Sequence, residues 1–143
     1  MKIILLPFIF LFGIVNGQNT VSGWSTLSKV SYKKAYDDLL GIAVDKPIFS
    51  SEVKKLEGQS IRLRGYIIPT DGFKSHKEFV FSAYPYSSCF FCGQAGPETV
   101  IEIQAEKPIE FSADIIELEG KLHLNSSDIN RLMYQLTEAK RIF

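Results

Sequence analysis

Cys89 and Cys92, the two cysteines of this 143-residue chain, both lie in "PYSSCFFCGQAGPETV", residues 85–100. Thiols separated by two residues have three chemistries open to them: a small disulfide ring, a soft metal ion held by thiolates, or cycling between dithiol and disulfide. Cycling would use Cys89 as the attacking thiolate and Cys92 as the resolving thiol. It also asks for a helix directly after the motif, whose N-terminus lowers the pKa of the first thiol. Here "GQAGPE" follows, and Gly93, Gly96 and Pro97 break helices, so the motif is expected in a loop that returns to a strand. A closed zinc site takes about four nitrogen or sulfur donors, and the motif supplies a pair. His76, in the preceding connection, His123, on an outward strand face, and Glu98, just past the glycines, are the candidates to complete it. Zinc and copper are the ions such a thiolate pair suits. Polar side chains also occupy turns and outer faces with no metal role.

Two further constellations accompany the cysteines. Tyr84, Tyr86, Phe90 and Phe91 surround them, either packing the loop on the end of a barrel or forming a platform on which a ring or apolar ligand stacks. Arg62, Arg64 and Tyr66 alternate along one strand and make a basic-aromatic patch for an anion or a nucleotide. Acidic and basic residues number 16 each, so no overall field draws nucleic acid, and none is expected as a partner.

The compartment follows from "MKIILLPFIFLFGIVNGQNT", where one Lys precedes an apolar run from Ile3 to Val15 and small residues close it. This is the layout of a secretory signal peptide, and the run is shorter than the roughly 20 residues that span a bilayer. Val15 and Gly17 suit the −3 and −1 positions of a cleavage site. Residues 1–17 are therefore expected to be removed, leaving a periplasmic or secreted chain with no transmembrane anchor. It would carry an N-terminal arm over 18–48 and a barrel domain over 49–143.

The elements that must position the cysteines read as strands. "SIRLRGYII" places Ile61, Leu63, Gly65 and Ile67 on one face, the period of a half-buried strand. "EFVFSAYP" and "TVIEIQA" flank the cysteine loop with β-branched and aromatic residues. "IIELEGKLHLN" alternates Ile116, Leu118, Leu122 and Leu124 against charged neighbours, with Gly120 as the place for a bulge or bend. "PTDGFKSH" and "EKPIEFSAD" carry turn residues. "SSEVKKLEG" predicts about two helical turns capped by Ser50 or Ser51 and ended by Gly58. A helical turn at 127–132 followed by a closing strand is expected, and "YKKAYDDLLG" is read as helical, capped by Gly41. Trp24 is taken as an anchor of the arm. Five short strands and one or two short helices suit a mainly β chain, an OB-like five-stranded Greek-key barrel, with a β-sandwich as the alternative.

"YPYSSCFFCGQAGPETVIEI", with "LEGQSIRLRGYIIP" upstream and "LEGKLHLNSSDINRLMYQLTEA" downstream, resembles a family of small exported bacterial proteins of unknown function, marked by the CFFCGxAGPE core. The resemblance implies an OB-type barrel and a Gram-negative envelope location. It implies no catalytic residue. Distantly similar proteins accompany metal-uptake systems, which makes an envelope protein or a metal transporter a candidate partner.

No Ser/His/Asp spacing, HExxH or phosphate-cradling GxxxxGK[ST] occurs. The first reading is thus a non-enzymatic envelope module whose CxxC loop binds a metal ion or a partner. A thiol-disulfide protein or sensor, and a structural protein with a stapling disulfide, are the alternatives.

Overall fold

The computed structural model describes residues 23–38, 40–69 and 75–143. The expected signal peptide lies outside them. Five strands close into a barrel: β3 (Ser60–Ile68), β4 (Ser75–Ser82), β5 (Val100–Glu110), β6 (Ile116–Leu124) and β7 (Tyr134–Arg141). Their spatial order is β3-β4-β5-β7-β6, and β6 pairs back onto β3. All pairings are antiparallel except β5 with β7. This is the mainly β, OB-like barrel expected from the alternating patterns.

The inward faces are the ones the alternation marked. Ile61, Leu63 and Ile67 of β3 and Ile116, Leu118 and Leu122 of β6 are buried, with Phe81, Ile101, Ile103, Tyr134 and Leu136 from the other strands. Leu124 is partly buried at the edge of this core. Two glycines permit close approach. A side chain at Gly65 would collide with the Ser82 carbonyl, and one at Gly120 would meet the Thr137 carbonyl oxygen at 2.7 Å. Gly120 does mark an irregularity, because the β6–β7 register shifts between Glu119 and Lys121. The extra residue belongs to β7, where Glu138 takes a left-handed φ of 51°.

The N-terminal part caps this barrel. α1 (Gly23–Leu27) buries Leu27, whose carbonyl accepts the Tyr134 hydroxyl at 2.6 Å. Trp24 anchors the arm: its ring stacks on Phe81 at 6.4 Å, and its Nε1–H donates to the Arg64 carbonyl at 2.9 Å. β1 (Val30–Asp37) and β2 (Ile42–Phe49) then form an antiparallel hairpin of their own. α2 (Ser51–Lys54) leads into the barrel, with Ser50 Oγ accepting from the Val53 N–H.

Four local expectations are corrected. "YKKAYDDLLG" is not helical: residues up to Asp37 form β1, because "IAVDKPIF" offers a matching strand and an eight-residue ladder outweighs a short isolated helix. α2 makes one turn, and the chain reaches Gly58, at φ 72°, through turns. "EKPIE" continues β5 instead of turning. Pro108 is accommodated there because the ladder with β4 is interrupted between His76 and Glu78, so its missing N–H breaks no regular pairing. Residues 127–132 form turns, not helix, organised by Asn125. Its Nδ2 donates to the carbonyls of Asp128, Arg131 and Leu132, and its Oδ1 accepts from the N–H groups of Ser127 and Asp128.

Candidate functional site

The cysteines sit in the β4–β5 connection, on short 3-10 turns as the glycines and proline require. Cys89 is buried and Cys92 is exposed, and both are free thiols. A turn closed by the Cys92 N–H on the Cys89 carbonyl, at 3.1 Å, brings the two residues together. The Cys92 thiol also donates to the Tyr86 carbonyl at 2.9 Å. Desolvation, and then the charge and hydrogen bond of the neighbouring Cys89 thiol, hold the Cys92 thiol above its ordinary pKa. Gly93 ends the turn at φ 72°, and no α-helix follows. The pair therefore lacks the helix N-terminus that would generate a thiolate.

The candidate ligands are dispersed. His76 lies on β4, paired in register with Ile109, and not in the preceding connection, because β4 begins at Ser75. His123 uses both ring nitrogens within the barrel wall, 3.1 Å from Glu57 Oε1 and 3.0 Å from Thr137 Oγ1. Glu98 stands on the turn after Gly96 and accepts the Tyr32 hydroxyl at 3.0 Å. Among the described residues no group of three His, Cys, Asp or Glu side chains is placed to hold a metal ion. The loop itself offers the two sulfurs and the Glu98 carboxylate, which already accepts the Tyr32 hydroxyl.

The basic-aromatic patch is largely occupied by the protein. Arg62 pairs with Glu119 directly across the β3–β6 ladder, at 2.5 Å. Arg64 lies 5.8 Å from the Phe143 ring centre, a cation–π distance. Tyr66 is half-buried beside them. Of the aromatic cluster, Tyr84, Tyr86 and Phe91 are exposed, and Phe90 is half-buried with its ring edge-on to Phe91 at 5.4 Å.

Phe90 opens onto the feature that sequence reasoning missed, a 670 Å³ groove. One wall is the hairpin, through Tyr32 and residues 44–47. The second is the cysteine loop, through Phe90 and Pro97, and the third is the β6–β7 loop, residues 125–133. Each wall is fixed from behind. Tyr32 is tied to Glu98, Asn125 holds its loop closed, and Glu102 accepts from the Leu132 N–H at 2.6 Å and the Arg131 Nε at 2.5 Å. The one local signal was Pro47 within an otherwise strand-like run, which marks an edge strand. The meeting of three separate segments leaves no local pattern.

No family model and no curated protein matches this chain. A crystal structure of a DUF3299 family protein from Pseudomonas aeruginosa is similar at 19% identity and a TM-score of 0.46, covering 63% of this chain and 65% of that one. This chain thus spans less than two thirds of that protein's length. Among the described residues no helix is long and apolar enough to cross a membrane.

Proposed function

We propose that the chain is an exported, non-enzymatic binding module that takes a partner at the cysteine end of its barrel. The observation that carries this reading is the groove in which Phe90, between the two cysteines, faces the hairpin and the β6–β7 loop. Its volume falls in the range of roughly 300–1,000 Å³ typical of ligand sites. Its walls are held by hydrogen bonds before any ligand arrives, which lowers the ordering cost of binding.

In this reading the cysteines serve the wall as a staple. The Cys89–Cys92 turn keeps the two Cα atoms within the roughly 7 Å of a β-turn, inside the reach of a disulfide. An oxidising compartment, expected from the apolar run Ile3–Val15, would close the ring by exchange with an external disulfide. The missing helix after the motif weighs against an oxidoreductase. The scattered histidines weigh against a closed zinc site.

Titration of the oxidised protein with anilinonaphthalene sulfonate, whose aromatic rings seek apolar surface, tests the groove. Amide shifts are expected to cluster at residues 44–46, at Phe90 and at 125–133, and Phe90→Ala should weaken the dye about tenfold. Shifts scattered over the barrel, or an unchanged affinity in Phe90→Ala, would overturn the reading.

A further inference from the structure

One wall of the groove offers backbone as well as side chains. Val44, Asp45, Lys46 and Pro47 are successive residues of β2, and all of them line it. Successive side chains of a strand point to opposite faces, so a strand brings consecutive residues to one groove along its edge. β2 pairs with β1 on one side and, among the described residues, with no strand on the other.

The ladder alternation tells which groups that edge presents. The Ser50 N–H donates to the Lys29 carbonyl at 3.2 Å just outside the hairpin. Val30 and Phe49, the next pair in, are therefore a non-hydrogen-bonded pair, and so by alternation are Tyr32 with Pro47, Lys34 with Asp45 and Tyr36 with Ala43. Backbone groups in such pairs point away from the partner strand. The outer edge of β2 thus offers N–H and C=O at Ala43 and Asp45, and C=O at Pro47. Proline stands where its missing N–H costs the hairpin nothing. An edge of this kind is a template for another strand.

The side chains set what that strand must carry. Tyr32, Pro47 and Phe49 share the hairpin face turned to the barrel, as the buried Phe49 and the Tyr32–Glu98 bond show. A strand added beside β2 points every second residue that way, toward Phe90 and Met133. On the opposite face Lys33 and Lys46 are direct cross-strand neighbours, an unfavourable like-charge pair. No carboxylate pairs with either among the described residues. An acidic residue placed opposite Lys46 would neutralise that pair.

We infer that the groove receives an extended peptide segment as a third strand on β2, with apolar residues at alternate positions facing Phe90 and an acidic residue beside Lys46. This names the ligand class of the binding module proposed above and rests on that reading.

The probe is a short blocked peptide alternating valine and threonine, with glutamate in place of the central threonine, and the protein is the full mature chain. Binding should protect the Ala43 and Asp45 amides from hydrogen exchange. N-methylation of the peptide at the β2-facing amides should weaken it about tenfold or more, because the ladder bonds are lost. Asp45→Pro removes an outward N–H and leaves the backbone hydrogen bonds to β1 intact, losing only the exposed Lys34–Asp45 ion pair at 3.6 Å, so it should weaken the peptide, more than Asp45→Asn does, while circular dichroism stays unchanged. Lys46→Glu should reverse the preference, from the glutamate peptide to a lysine analogue. No peptide binding, equal binding of the N-methylated peptide, unprotected amides in the complex, or an unchanged preference in Lys46→Glu would overturn the inference. Entry of the dye without the peptide defeats this inference alone, whereas failure of both defeats the binding-module reading as well.

Discussion

The Tyr32 hydroxyl donates to Glu98 Oε2 at 3.0 Å across 66 residues of sequence, tying the hairpin to the turn that follows the cysteines. The ring remains 39% exposed, but its hydroxyl end reaches inward, 4.0 Å from the sulfur of the buried Met133. This bond joins two walls of the groove directly. Tyr32→Phe should therefore cost roughly 0.5–1.5 kcal/mol and loosen the groove more than the barrel. Hydrogen exchange is expected to accelerate in β1 and β2 while the amides of β3 to β7 keep their protection. Uniform acceleration would mean that the hairpin and barrel open together.

Alkaline pH should destabilise the fold through two tyrosines. Burial, the Glu98 hydrogen bond and the Glu98 charge raise the Tyr32 hydroxyl above its ordinary pKa, and burial followed by the Glu98 charge does the same for Tyr134. Above the ordinary value of about 10 the unfolded chain releases these protons while the folded chain keeps them, so stability falls as pH rises. Below about pH 10 this contribution is fully present. Urea midpoints should decline above that pH, and more gently in Tyr134→Phe, which is itself weaker at neutral pH for want of the bond to Leu27. A slope identical in wild type and variant would remove Tyr134 from the account.

Leu122 and Lys121 are neighbours on β6 with opposite fates. Leu122 is fully buried in the core, so Leu122→Ala should cost roughly 2–5 kcal/mol. Lys121 is exposed and pairs with the exposed Glu138 at 2.8 Å, a contact worth about 0–1 kcal/mol. Chemical denaturation of Leu122→Ala and Lys121→Ala measures both. Equal losses would contradict the inward face of β6.

The two thiols should differ in reactivity. Cys92 is exposed and Cys89 buried, so iodoacetamide should label Cys92 first in the reduced protein. Because the Cys92 thiol is held above its ordinary pKa, its labelling should gather speed only at a more alkaline pH than that of a free cysteine. Mild oxidation should close the pair and block labelling at both positions, read by peptide mass. Preferential labelling of Cys89, or rapid labelling near neutral pH, would argue for an activated thiolate and the redox alternative.

Export is tested by intact mass of the protein recovered from the producing cell. Cleavage after Gly17 should remove residues 1–17. A mature chain that retains Lys2 would exclude the proposed processing.

The barrel was legible because each of its strands buries one face. With side chains alternating at a period of two, Ile61, Leu63 and Ile67, and likewise Ile116, Leu118 and Leu122, declare the inward direction before any tertiary contact is known. The position of the cysteines in a loop was equally local, since Gly93 and Pro97 constrain their own backbone. "YKKAYDDLLG" was misread because its strand state depends on "IAVDKPIF", a partner that propensity does not include. His123 was named for its ligand type, whereas its surroundings on the β6 wall, Glu57 and Thr137, come from the fold, since ligand type alone says nothing of distance. Sequence by itself determined the period of the strands and the backbone of the turns, which depend on neighbouring residues. Tertiary structure alone decided the groove, because residues 44–47, Phe90 and residues 125–133 meet only when the barrel closes and the hairpin folds against it.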